Sequence, residues 1–211
     1  MILTGQLDSP FVRRVAIALN FYRLPYRHNV ISAYGDFDDL VRVNPLGKVP
    51  ALPLDDGTVL ADSTLILDHL DRAAGEGKSL WPSAPDTRAK ALAHVGVAVG
   101  LAEKAVEFRT ETVRRPSDKI DQPRVDRVVA QIGASLAWLE RHTPGDGFAV
   151  GDGVSHADIA SATAVTFISH KNPEHFGGRQ DGGDGDYPNL LRHARLCEEM
   201  TEFKAAPFTD Y

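Results

Sequence analysis

With a single cysteine, Cys197, in 211 residues, neither an internal disulfide nor a Cys-x-x-Cys redox pair can form, and a small buried apolar role is expected for it. No apolar run approaches the ~20 residues needed to span a bilayer. Nor does a basic stretch precede an apolar region at the N-terminus, so no membrane partner and a cytoplasmic location are expected. An excess of basic charge is missing as well. Lys and Arg number 23 against 29 Asp and Glu, and the two signs are interspersed, which argues against a nucleic-acid partner. The eight histidines show no metal-ligand spacing. The Asp181 to Asp186 run lacks the alternating acids and closing glutamate of a calcium loop. No metal site is expected. What is present is an apolar fraction of 43%, enough for ordinary cores, and a length suited to two domains of roughly 80 and 120 residues.

The first part of the chain reads as a strand (1 to 5), a helix (10 to 21), a strand (26 to 31) and a short helix (36 to 42), a β-α-β unit with Pro25 at the turn into the second strand. Residues 50 to 60 carry two short apolar runs around Asp55-Asp56-Gly57, the pattern of a hairpin. A helix over 63 to 74 follows, with Leu65, Ile66, Leu70 and Ala73 expected to cover the sheet. This is a thioredoxin-like pattern. Beyond Trp81-Pro82-Ser83-Ala84-Pro85, a linker, no strand-like stretch of any length occurs. Helical patterns run over 86 to 113 and 124 to 141, and a glycine- and aspartate-rich loop is expected from Lys171 to Pro188. The fold class is therefore an α/β thioredoxin-like N-terminal domain (1–77) followed by an all-α helical bundle domain (86–211).

Three short segments carry the chemistry. Ser9-Pro10 reads as an N-cap with proline at the first helical position, which puts a hydroxyl at the positive end of a helix; such a position favours an anion. Val49-Pro50 opens a strand and is a candidate cis peptide, which would turn the N-H and C=O of Val49 toward an extended peptide. Asp62-Ser63 opens the next helix, where amide groups and a hydroxyl would bind a carboxylate. Taken together these residues describe a site for a thiol peptide.

In order and spacing, Ser9-Pro10-Phe11-Val12-Arg13-Arg14-Val15, Asn44-Pro45-Leu46-Gly47-Lys48-Val49-Pro50 and Asp62-Ser63 resemble the cytosolic glutathione transferase family. The resemblance spans the chain, because Gly151-Asp152-Gly153-Val154-Ser155-His156-Ala157-Asp158-Ile159-Ala160 is similar to the family's capping motif in the helical domain. It implies that glutathione is bound as co-substrate, with no other cofactor. Val49 would pair with the cysteinyl backbone, Lys48 would reach the glycyl carboxylate, and Asp62 and Ser63 would hold the γ-glutamyl ammonium and carboxylate. Ser9 would be the catalytic residue that stabilises the thiolate for attack on a small hydrophobic electrophile. Phe11, Phe108 and Arg109 are candidates for the electrophile pocket, on position alone.

The hydroxyl identifies a serine-type member, theta-like, delta-like or a bacterial homologue, since neither a tyrosine nor a cysteine stands at the expected place. Asp158 is assigned to folding, as partner of Ser155 in a capping box, and the family resemblance implies a homodimer. The alternatives are a non-catalytic binding or scaffold protein on the same fold, and a glutathione-dependent peroxidase.

Overall fold

The computed structural model describes residues 1–176 and 186–211 and divides into two units, Met1–Leu80 with Glu199–Tyr211, and Trp81–Glu198. The first contains strands β1 (Ile2–Thr4), β2 (Arg27–Asn29), β3 (Ala51–Pro53) and β4 (Val59–Ala61). Its helices are α1 (Pro10–Tyr22), α2 (Phe37–Val43) and α3 (Ser63–Ala73). The sheet order is β2-β1-β3-β4, with β1 parallel to β2 and the β1/β3 and β3/β4 pairs antiparallel. This is the thioredoxin-like arrangement, and it follows from the right-handed β-α-β connection through α1 and the Asp55-Asp56-Gly57 hairpin. Helix α1 buries Val12, Val15, Ala16, Ile17, Ala18 and Leu19 completely, and α3 contributes Ile66, Leu67 and Leu70. Leu65 and Ala73 differ from expectation: Leu65 is 65% exposed, because the face that 66, 67, 70 and 74 define on a 3.6-residue period points it away, and Ala73, the last residue of α3, is exposed as well.

In the second unit, α4 (Pro85–Arg109) packs along α5 (Gln122–His142) and α6 (His156–Lys171), and α6 packs along α7 (Pro188–Glu198). Helix α6 is buried on every side from His156 to Ile168, which makes it the centre of this core. Its start is fixed as expected. Ser155 Oγ accepts from Ala157 N, while Asp158 Oδ2 accepts from the N-H and hydroxyl of Ser155 at 2.8 Å and Oδ1 accepts from Ala149 N at 2.6 Å. The long pattern at 86 to 113 ends as an α-helix at Arg109 and passes into a wider π turn over Thr110–Arg114. There Thr110 and Thr112 donate their hydroxyls back to the carbonyls of Val106 and Phe108. Half of the expected loop from 171 to 188, residues 177–185, lies outside the described ones, as does most of the Asp181 to Asp186 run; in the described part Lys171 ends α6, Pro173–Phe176 forms a short 3-10 turn and Pro188 opens α7.

The end of the chain departs from the expected division at 86–211. Residues Glu199–Tyr211, including the short helix α8 (Thr201–Lys204), belong with the first unit. Arg13 Nε donates to Ala206 O at 2.8 Å, Asn20 Nδ2 donates to Glu202 O at 2.9 Å, and Phe21 meets Phe203 edge-on. Polar groups on α1 thus find their acceptors in the tail, and nothing in the local pattern of either segment announces the pairing.

Candidate functional site

The sheet register brings the three segments together. Thr4, the last residue of β1, lies opposite Ala51, the first of β3, and Ala51 lies opposite Ala61, the last of β4. The Gly5 to Ser9 loop, the Lys48-Val49-Pro50 approach and the Asp62-Ser63 start of α3 therefore all leave from one end of the sheet. It is the carboxyl end of the parallel β1/β2 pair, where α/β sheets place their ligands.

Gly5 sets the closeness of this convergence. At φ +133° it is in a region that side chains rarely adopt, and a Cβ there would lie 2.5 Å from Val12 Cγ2 and 2.9 Å from Val49 Cβ. The first loop is thus pressed between α1 and the Val49 segment. Ser9 caps α1 with extended backbone, and its Oγ accepts from Val12 N at 3.4 Å. As the acceptor in that bond, the Ser9 hydroxyl keeps its own hydrogen available to an anion.

The Val49-Pro50 bond is cis, and the N-H and C=O of Val49 take no partner among the described residues. Asn44, 2% exposed, organises the preceding loop: its Nδ2 donates to Lys48 O at 2.7 Å and its Oδ1 accepts from Leu46 N at 3.2 Å. Gly47 closes that loop at φ +59°, where a Cβ would strike the ring of Phe37. Lys48 is exposed, and its ammonium makes no hydrogen bond or ion pair among the described residues.

Asp62 caps α3 from a left-handed conformation, φ +69°, and its Oδ1 accepts from Thr64 N at 2.8 Å and Leu65 N at 3.4 Å. Those two amides are thereby satisfied, while the N-H of Ser63 takes no partner among the described residues. Ser63 itself is 4% exposed, more enclosed than a helix start suggests, because Arg14 lies behind it. Arg14 Nη1 donates to Ser63 Oγ at 3.3 Å and to Thr64 Oγ1 at 3.4 Å. Burial holds the Arg14 guanidinium at about 10, below its ordinary value, with the Asp62 carboxylate opposing that shift.

Sequence reasoning missed Arg14 and Asn44 as parts of the site, although both stand inside the quoted motifs. Two adjacent arginines on the apolar face of α1 were the signal. A lysine or arginine is almost never fully buried without a partner, and here Arg13 serves the tail while Arg14 serves the start of α3.

Of the three candidates for the electrophile pocket, Phe11 is half-buried on α1 of the first unit. Phe108 and Arg109 belong to the second unit. There Phe108 packs edge-on against His175, and Arg109 Nη1 donates to Lys171 O at 2.9 Å, on the last carbonyl of α6. Arg109 thus has a definite structural partner. In the same unit Asp158, His193 and Cys197 are buried together, with His193 Nδ1 donating to Gly147 O at 3.0 Å and burial pushing the Cys197 thiol up. Asp158 Oδ2 is held by the cap and Oδ1 accepts from Ala149 N, while His193 Nε2 lies 3.4 Å from Oδ1, so the cluster ties α6 to α7.

The architecture defines a class, a thioredoxin-like domain joined to an all-helical one, with its loops and a helix start gathered at one sheet end. Residues 3–78 match the glutathione S-transferase N-terminal domain and residues 122–195 the glutathione S-transferase C-terminal domain. Glutathione S-transferase GstB of Escherichia coli is 30% identical over 71% of this chain and 77% of its own length. A probable glutathione S-transferase of Oryza sativa subsp. japonica is 32% identical over 74% of this chain and 67% of its own length. A glutathione S-transferase of Methylobacterium radiotolerans, solved with glutathione sulfonate, superposes with a TM-score of 0.87 at 26% identity, covering 100% of this chain and 96% of that one. The chain belongs to the glutathione S-transferase family. No helix among the described residues is long and apolar enough to cross a membrane.

Proposed function

We propose that this protein is a glutathione transferase, active as a cytoplasmic homodimer, that ionises the glutathione thiol at Ser9 and conjugates it to a small hydrophobic electrophile. The observation that carries the reading is the Ser9 hydroxyl, an N-cap that accepts from Val12 N and so keeps its hydrogen to donate, one loop away from the Val49 backbone, which is unpaired among the described residues. Glutathione would lie extended across the sheet end. Its cysteinyl backbone would pair with Val49, its glycyl carboxylate with Lys48, its γ-glutamyl carboxylate with the N-H and hydroxyl of Ser63, and its ammonium with Asp62. The positive end of α1 and the Ser9 hydroxyl favour the thiolate, whose proton passes to solvent.

The thiolate sulfur then attacks the electrophilic carbon. A C-S bond forms, and with an activated aryl halide the halide leaves with the electron pair of the bond that breaks. The nucleophile comes from glutathione and the stabilisation from α1, so the step as proposed calls on no further cofactor or metal.

The test is ultraviolet difference spectroscopy of the glutathione complex, together with turnover of an activated aryl halide. A thiolate band at neutral pH with conjugation supports the proposal. Binding without a thiolate band and without turnover would favour the non-catalytic reading. Turnover of hydroperoxides alone would favour the peroxidase.

A further inference from the structure

The Arg14 guanidinium is 2% exposed, donates through Nη1 to the hydroxyls of Ser63 and Thr64, and has no hydrogen-bond partner for Nε or Nη2 among the described residues. A buried charge in this condition is expensive, and an apolar side chain of similar volume would serve packing as well or better. Its neighbours explain what it does instead. Because Nη1 occupies a lone pair of Ser63 Oγ, the Ser63 hydroxyl hydrogen must point elsewhere, which commits Ser63 as a donor beside its own N-H, unpaired among the described residues. Asp62 spends Oδ1 on the amides of Thr64 and Leu65, so its negative charge at the same helix start would repel a carboxylate unless a positive charge balanced it.

We infer that Arg14 is a positioning residue which turns the start of α3 into a subsite selective for a ligand end carrying both an ammonium and a carboxylate. It orients Ser63 as a carboxylate donor and offsets the charge of Asp62. The inference rests on the proposed function and deepens it: it names the buried side chain on which discrimination of the γ-glutamyl group depends. The lowered basicity of Arg14 agrees with this, since the guanidinium still carries its charge at neutral pH and has no carboxylate bonded directly to it among the described residues.

The experiment compares glutathione with two synthetic thiol peptides, 4-aminobutyryl-Cys-Gly, which lacks the α-carboxylate, and glutaryl-Cys-Gly, which lacks the ammonium. Wild type and Arg14→Met are compared by competition binding and thermal unfolding. Arg14→Met should weaken glutathione and glutaryl-Cys-Gly by about tenfold or more, leave 4-aminobutyryl-Cys-Gly within about threefold, and unfold at the same temperature or higher. Arg14→Lys should restore part of the lost discrimination. Equal weakening of all three peptides, or no weakening, would overturn the inference while leaving the transferase reading in place. Wild type that binds none of them would overturn both. If Arg14→Met does not fold, Arg14→Gln, which removes the charge and keeps amide donors, reads the same ratio of affinities.

Discussion

Replacement of Ser9 by alanine separates the two jobs of one hydroxyl. As a cap, Ser9 holds Val12 N at 3.4 Å, the outer limit of a hydrogen bond, so its loss should lower stability by only about 0.5 kcal/mol, the bottom of the N-cap range. As a donor to the glutathione thiolate it would make a charge-assisted bond worth about 1.5 to 3 kcal/mol, which corresponds to a rise of about one to two units in the apparent pKa of the bound thiol. The helix dipole stays behind in the alanine variant and contributes about 0.3 to 1 kcal/mol, so ionisation weakens without vanishing. Conjugation of an activated aryl halide at neutral pH should fall roughly 10- to 100-fold, with most of the loss recovered at alkaline pH where glutathione ionises unaided. The assay is a pH profile of the single-turnover rate, read beside the ultraviolet thiolate band of the complex. A variant that still binds glutathione and shows an unshifted profile and an undiminished band would refute the reasoning.

Four further outcomes are expected. Asp62→Ala and Ser63→Ala should each weaken glutathione by an amount worth about 1.5 to 3 kcal/mol in equilibrium binding, and unchanged binding in both would remove the γ-glutamyl assignment. Asp158→Ala strands three buried donors, on Ala149 and Ser155, and should destabilise by about 3 kcal/mol or more in denaturant unfolding, while the Michaelis constant for glutathione stays nearly constant in whatever protein folds. Burial holds His94 down at about 4, helped by the nearby His193 and His142, so the folded state keeps it neutral where the unfolded chain protonates. That contribution is intact above pH ~6.5 and is lost as pH falls from there toward 4, on the order of 3 kcal/mol in all; a pH series of unfolding midpoints should flatten in His94→Gln. Sedimentation at micromolar concentration should show a dimer, and a monomer there would overturn the proposed homodimer.

How much of this was legible in the residues depends on the range of the interaction. The N-caps at Ser9, Asp62 and Ser155 are encoded within three or four positions, and their hydrogen bonds appear as the local pattern requires. The hairpin between β3 and β4 and the helix boundaries of the first unit are equally local, set by Asp55-Asp56-Gly57 and by the spacing of apolar residues. The return of Glu199–Tyr211 to α1 is not local at all: Arg13 and Ala206 stand 193 positions apart, and no pattern within either segment specifies the other. Leu65 shows a different limit. One apolar residue too many on α3 left the phase of the helix open by a position, and only packing against the sheet selected Ile66 and Leu67 over it.

Arg14 joins both kinds of information. Its place on an apolar stripe, at the same helical phase as buried neighbours, already marked it as a charge going into a core, and that is legible from periodicity. Where the charge goes is not, because Ser63 lies 49 positions away and approaches only once β3 and β4 have set the start of α3 beside α1. The hydroxyl that caps α1 and the hydroxyl that opens α3 are therefore tied through one helix: Ser9 begins it, and Arg14 reaches from its second turn to Ser63. A change in the seating of α1 should then be felt at both ends of a bound peptide, at its thiol and at its γ-glutamyl group. Core substitutions on α1 such as Ile17→Val, far from any ligand contact, should accordingly move both affinities in the same direction if they move either.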